Sequence, residues 1–139
     1  MDVHINLKIK SNQNYEIANL AQQRKYYDVA VSRYYYSLFQ LIDYIMYSSN
    51  KNFIIPSYEA PHAYTIKKFN IFIHKNKRCK NILTDENIAD LMVLQDLKRW
   101  RQDADYKNRF IKEEDFINEF MKKYEPCYKT INEKIMCQE

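Results

Sequence analysis

The chain of 139 residues contains no glycine. Glycine adopts positive φ at little steric cost and lets the backbone approach a phosphate closely. Its absence therefore excludes glycine-dependent phosphate loops, dinucleotide-binding turns and nucleophile elbows. Two-residue β-hairpin turns also rely on glycine, so the sequence disfavours a β-rich fold and indicates helices joined by ordinary loops.

The remaining composition is that of one globular domain. A hydrophobic content of 46% with 29% charged residues is typical of folded rather than disordered chains. We expect a single domain over 1–139, with 1–12 as a peripheral N-terminal segment. The formal net charge of +4 permits a nucleic-acid ligand without demanding one.

The sequence shows no signal for export or membrane insertion. Its start, MDVHINLKIK, lacks the apolar core of a secretory signal, and no apolar run approaches the ~18 residues of a membrane span. The cysteines Cys79, Cys127 and Cys137 form an odd set without C-x-x-C spacing, which argues against a zinc site or a disulfide framework. We therefore expect a cytoplasmic protein without a metal or other cofactor.

The apolar spacing predicts an all-α fold, an antiparallel up-and-down bundle of about five helices. In the longest predicted helix, apolar residues recur three and four positions apart, as in a bundle seam. Pro61 suits the first turn of the third helix, Thr84 is a good N-cap for the fourth, and Pro126 is expected to kink the last. The predicted helices are 14–24, 27–48, 60–75, 84–106 and 113–136.

Two arginines lie where a bundle usually buries apolar side chains. Arg101 falls in the seam of the fourth helix, with Asp105 one turn later on the same face. Arg33 lies beside the seam of the second helix. Because a buried guanidinium is costly unless it meets a carboxylate, carbonyl groups or a bound anion, two interpretations stay open: a structural ion pair, or a polar functional site.

Three sequence blocks occur in the order found in the HEPN superfamily. The blocks are YYDVAVSRYYYSLFQLIDYIM, PHAYTIKKFNIFI and LKRWRQDADYKNRF. They resemble the tyrosine-rich helix, the third-helix segment and the R-x-x-A-D-Y segment of that superfamily. The candidate site residues that they supply are Arg33, His62, Arg101, Asp105 and Tyr106.

The resemblance implies a small helical protein, usually a homodimer, that acts on RNA or binds it. Many HEPN proteins are metal-independent ribonucleases of toxin–antitoxin, CRISPR-associated or phage-defence systems, and others bind RNA or nucleotides without cleavage. Small members are often encoded beside a nucleotidyltransferase that acts as antitoxin. The expected partners are therefore RNA or a nucleotide, a second copy of the chain, and a cognate antitoxin or CRISPR or other defence protein, with no membrane.

The sequence departs from the Arg-x(4–6)-His motif of the ribonuclease members. No arginine is followed by a histidine four to seven residues later, and Tyr106 stands five residues after Arg101. A tyrosine with a pKa near 10 is a poor base at pH 7. His62, on the seam side of the third helix, is the candidate replacement as an acid or base, although a structural histidine is the alternative interpretation.

A basic segment is the other candidate for contact with RNA. The stretch KNKRCKN within it is predicted to connect two helices. Such a segment can follow a phosphate backbone, whereas solvated surface lysines are the alternative explanation. Its cations, with no acidic residue between them, are Lys67, Lys68, Lys75, Lys77, Arg78 and Lys80.

Three hypotheses about function stay open at this point. The first is an RNA-directed HEPN-like protein of a prokaryotic defence or toxin–antitoxin type system, in which any enzymatic activity is metal-independent endoribonuclease activity. The second is a non-catalytic helical subunit that binds a nucleotide, RNA or a partner protein. The third is a structural dimerisation module in which Arg33 and Arg101 form internal pairs.

Overall fold

The computed structural model describes residues 4–50, 52–107 and 110–136. These ranges contain helices and loops but no strand, which confirms the all-α prediction. None of their helices combines the length and apolar character that crossing a bilayer would need. The first six helices are α1 (Ile5–Gln23), α2 (Tyr27–Ser49), α3 (Pro61–Lys75), α4 (Lys77–Ile82), α5 (Asp85–Leu91) and α6 (Leu94–Tyr106).

The last helix, α7, runs through four consecutive segments without leaving the right-handed helical region of the backbone. These are Glu113–Asp115, Phe116–Phe120, Met121–Thr130 and Ile131–Ile135, of which the second and fourth are π-helical. Pro126 lies inside the third segment, and the helix continues through it.

Helix α2 is the centre of the bundle and packs against α1, α3, α6 and α7. A helix that is buried on most sides must carry apolar residues around most of its circumference. The predicted seam is confirmed, because all five of its residues are buried: Val31, Tyr34, Leu38, Leu41 and Ile45.

Helix α1 begins at Ile5, not at residue 14 as expected, so much of the segment predicted to be peripheral is helical. Its buried face consists of small residues, Ser11, Ala18 and Ala21, which let its backbone lie close to α2. The Ser11 hydroxyl donates to the Ser37 carbonyl at 2.5 Å. Apolar periodicity could not reveal this helix start, because the large apolar side chains of α1 face outward: Ile5, Ile9, Ile17 and Leu20.

The predicted fourth helix is two helices, since the chain turns at Met92 and Val93 between α5 and α6. No glycine or proline marks this turn, so the sequence pattern offered no break. The Thr84 cap is confirmed: its hydroxyl accepts from the Asn87 amide, and the Asn87 side chain accepts from Thr84 in return. The predicted basic connection contains the short helix α4.

The turn between α1 and α2 shows how this chain manages without glycine. Lys25 has φ of 63°, in the left-handed region that glycine occupies with least strain. The Tyr26 amide donates to the Ala21 carbonyl at 2.8 Å, which closes the end of α1. A lysine therefore takes the position that usually falls to glycine.

Candidate functional site

Arg101 is buried in the seam of α6, as its spacing with Leu94 and Leu97 predicts. Only 10% of its side chain is exposed. Its guanidinium carbon lies 5.5 Å from the ring centre of Tyr35 and 5.6 Å from that of Tyr36, both on α2. These cation–π contacts hold the charge at the junction of α2 and α6.

The polar partners of Arg101 are incomplete. Its Nη1 lies 3.5 Å from Asp105 Oδ2, longer than the roughly 2.7–2.9 Å of a charge-assisted hydrogen bond. Its Nε is buried without a hydrogen-bond partner among the described residues. Because guanidinium has five N–H donors and stays charged, Arg101 has donors left for an anion.

His62 lies in the first turn of α3, half-buried against α2. Its Nδ1 is 2.9 Å from the Tyr35 hydroxyl, and its ring lies parallel to the Phe39 ring at a centroid distance of 4.0 Å. Burial, together with the cations of Arg101 and Lys98, lowers the pKa of His62 to about 4. The imidazole is therefore neutral at pH 7.

Arg101 and His62 meet at the same pair of tyrosine rings. The His62 ring stacks on Tyr35 at 5.7 Å and meets the edge of Tyr36 at 5.9 Å, and Arg101 lies over both rings. We call this arrangement the Arg101 cluster; its members are Tyr35, Tyr36, Phe39, His62, Arg101 and Asp105.

Tyr35 and Phe39 are members of the Arg101 cluster that the sequence analysis missed. Both lie in the first of the three HEPN-like blocks, but nothing in their spacing separates them from ordinary core residues. Burial raises the pKa of the Tyr35 hydroxyl above its ordinary value. That hydroxyl therefore stays protonated at pH 7 and is able to donate to His62.

The structure places Arg33 and Tyr106 outside this arrangement. Arg33 is exposed and donates to Asn14 Oδ1 on α1 at 3.3 Å. Tyr106 ends α6 with 78% of its surface exposed, and five residues along a helix turn it away from the face of Arg101. Of the five residues proposed as a catalytic set, the structure thus brings together His62, Arg101 and Asp105.

The basic segment does not converge on the Arg101 cluster. Lys68 lies over the Tyr64 ring at 5.4 Å and, like Lys75, projects from a different face of α3 than His62. Arg78 Nη2 donates to the carbonyls of Ile135 at 2.7 Å and Lys134 at 3.2 Å, so it caps the end of α7. The other three cations are exposed: Lys67, Lys77 and Lys80.

A second buried charge lies on α2 one turn beyond Phe39. Burial raises the pKa of Asp43 and the Thr65 hydroxyl of α3 offsets part of this rise, which leaves the pKa at about 6. Asp43 Oδ1 has no hydrogen-bond partner within the described ranges. Asp43 in turn raises the pKa values of Tyr35 and Tyr47.

Among the residues that the structure describes, no three histidine, cysteine or acidic side chains are grouped to hold a metal ion. Cys79 and Cys127 are buried free thiols, and Cys137 lies outside the described residues. No protein-family model matches the sequence, and no match was found among curated proteins or solved structures. The HEPN resemblance therefore stays a prediction based on three sequence blocks.

Proposed function

We propose that this chain is a HEPN-like protein of a prokaryotic defence or toxin–antitoxin type system and that it binds RNA through Arg101. The observation that supports this most directly is the state of Arg101, whose side chain is only 10% exposed and whose Nε has no hydrogen-bond partner among the described residues. A phosphate matches the planar fork of guanidinium and accepts two parallel hydrogen bonds from it.

His62 is the proposed second contact. A backbone phosphate on Arg101 brings the neighbouring ribose toward His62, because both side chains contact the same tyrosine rings. In the tautomer in which Nδ1 donates to the Tyr35 oxygen, Nε2 is the basic nitrogen of the neutral imidazole and is able to take a proton from the ribose 2′-hydroxyl. An anionic phosphate also favours the charged form of a nearby histidine, so RNA binding is expected to raise the pKa of His62.

The low pKa of His62 favours RNA binding over rapid RNA cleavage as the activity of this site. General bases work best with a pKa near the operating pH, and the pKa of His62 is about 4. Tyr106, at the position of the family's motif histidine, is exposed and turned away from Arg101. We therefore propose RNA binding as the primary activity, with any cleavage being slow and metal-independent.

The second candidate is a structural role for Arg101, as in a dimerisation module. The contacts of Arg101 with Tyr35, Tyr36 and Asp105 join α6 to α2, and these contacts are also what a purely structural arginine would make. The two candidates differ in what Arg101→Gln changes, since a structural arginine affects stability and a ligand-binding one affects affinity.

The deciding experiment measures the affinity of Arg101→Gln for a labelled 12-nucleotide single-stranded RNA by fluorescence anisotropy. Arg33→Gln is the matched control, because Arg33 is exposed and belongs to another of the family blocks. We expect about tenfold weaker binding for Arg101→Gln and less than about a twofold change for Arg33→Gln. Unchanged affinity of Arg101→Gln with a lowered melting temperature would establish the structural role.

A growth assay separates binding from cleavage. Expression of the wild type and of Arg101→Gln is compared in a bacterial host, and the purified proteins are incubated with RNA in EDTA. Intact RNA and unimpaired growth with the wild type would exclude the ribonuclease version of the proposal while leaving RNA binding to the anisotropy measurement.

A further inference from the structure

Two neighbouring cavities lie at the C-terminal end of α2. Their volumes are about 540 and 230 Å³, and both are lined by Ser49 and Phe72. We call them together the α2-end channel. Its cations are Lys68 and Lys75 in the larger cavity and Lys8 and Arg78 in the smaller one.

The α2-end channel has no carboxylate among the described residues that line it. Two other cavities, of about 670 and 570 Å³, differ in this respect. One includes Glu86, Asp90, Glu125 and Glu133 in its lining, and the other includes Asp96, Asp103, Asp115 and Glu119. The described lining of the channel thus contains four cations and no acidic residue, which favours an anionic ligand.

Helix capping accounts for part of this charge but not for all of it. The C-terminal ends of α2, α3 and α7 border the channel, and each is equivalent to about half a negative charge. Arg78 is engaged with the last carbonyls of α7. Three helix ends offset about one and a half of the four positive charges, which leaves the channel cationic.

The walls between the cations suit the bases of a single strand. Ile54, with 74% of its surface exposed, and Ile71 present apolar surface, and Tyr64 lies beside them in the larger cavity. Side chains of Asn50 and Asn52 add polar groups at the rim. Single strands bind by cationic contacts to phosphates combined with apolar contacts to unstacked bases, whereas a duplex keeps its bases stacked inside.

We infer that the α2-end channel binds single-stranded RNA, with Lys68 and Lys75 on its phosphates. This inference rests on the proposed function and adds a second RNA contact, separate from the Arg101 cluster near the middle of α2. It also divides the basic segment. Lys68, Lys75 and Arg78 line the channel, whereas Lys67, Lys77 and Lys80 lie outside it.

The test compares two double variants that remove the same charge from the same segment. Lys68→Gln with Lys75→Gln removes channel cations, and Lys67→Gln with Lys80→Gln removes exposed ones. Affinity for the 12-nucleotide RNA and for its duplex is measured over a salt series, and melting temperatures verify the fold. We expect at least about a tenfold loss for the channel pair, less than about twofold for the control pair, and a salt slope smaller by about 1.4 for the channel pair.

Each alternative outcome contradicts the inference in a distinct way. Equal losses of RNA affinity in both double variants would mean that the lysines attract RNA without forming a specific site. Binding of the duplex as tight as that of the single strand would exclude contacts between the channel and unstacked bases. An acidic peptide of the same charge is also tested as a competitor of the labelled RNA. If it displaces the RNA as effectively as unlabelled RNA does, the ligand of the channel is an acidic protein segment instead. Loss of binding in Arg101→Gln but not in the channel pair would overturn this inference alone, and absence of RNA binding by the wild type would overturn the proposed function as well.

Discussion

Two regions along α2 bury a charge, and they accommodate it by different means. At the Arg101 cluster the charge is permanent, because guanidinium does not deprotonate in proteins, and aromatic faces surround it. At Asp43 the charge is removable, and burial shifts the pKa to about 6 so that the carboxyl is more easily neutralised.

The contrast shows which buried charge is suited to a ligand. Arg101 relieves its unmet hydrogen bonding only by gaining an acceptor, so an anion is the expected complement. Asp43 relieves its burial by taking up a proton. Burial, assisted by the charge of Arg101, keeps the neighbouring His62 neutral at pH 7, so the two regions respond in opposite directions when the pH falls.

The largest effect is expected for Asp43→Asn. The pKa of Asp43 is higher in the folded protein than its ordinary 3.8, so its contribution to stability is present at low pH and is lost as the pH rises through about 6. Removing the charge should raise the free energy of unfolding at pH 7 by on the order of 2 kcal/mol. Urea unfolding at pH 7 measures this difference in the free energy of unfolding. Glu59→Gln, which removes an exposed carboxylate, is the control. A destabilised Asp43→Asn would contradict the conclusion that burial of the Asp43 charge is unfavourable.

An effect of similar size and opposite sign is expected for His62. Its folded pKa of about 4 lies below its ordinary 6.5, so stability is lost as the pH falls through this range. As the pH of the wild type falls from about 6 to 4, the stability lost through His62 opposes the stability gained through Asp43. We expect His62→Phe to become more stable on acidification and Asp43→Asn to become less stable.

Thermal melts of the wild type and both variants from pH 7 to pH 4.5 measure these slopes. The wild type should change less than either variant, because its two contributions oppose each other. Parallel profiles for all three proteins would show that the two regions do not titrate in opposite directions.

The smallest effect is expected for Asp105→Asn. Its ion pair with Arg101 is long and partly exposed, and such pairs contribute at most about 1 kcal/mol. We expect a loss below that value in urea unfolding, with RNA affinity unchanged or slightly higher, because Asp105 competes with phosphate for the guanidinium. Asp103→Asn is the control. If Asp105→Asn loses more than about 2 kcal/mol while Asp103→Asn loses nothing, Arg101 has a full structural partner in Asp105, and its charge does not call for a bound anion.

Local signals in the sequence predicted those parts of the fold that local physics controls. The α2 seam and the Thr84 cap depend on residues within one or two turns, and both are confirmed. The start of α1 and the turn at Met92 were missed, because α1 buries small residues and ordinary residues form the turn.

The candidate site was predictable to a similar extent. Arg101 was found because a cation in an apolar seam is anomalous, and His62 because it lies on the seam side of α3. The stacking of His62 on Phe39 and the turning away of Tyr106 depend on helix packing, which one sequence does not contain. The α2-end channel was missed because Lys8 and Arg78 come from distant parts of the chain.

The sequence by itself, through its apolar spacing and its lack of glycine, indicated a helical protein in which side chains or helix ends, not a glycine-rich loop, must hold any phosphate. It also determined that a residue such as Lys25 must take left-handed geometry where a turn requires it. Only the tertiary structure decided which arginine is buried without a full set of partners and which lysines border a cavity. The physical reason is that burial and pKa depend on neighbours far away in the sequence, whereas backbone preference resides in each residue.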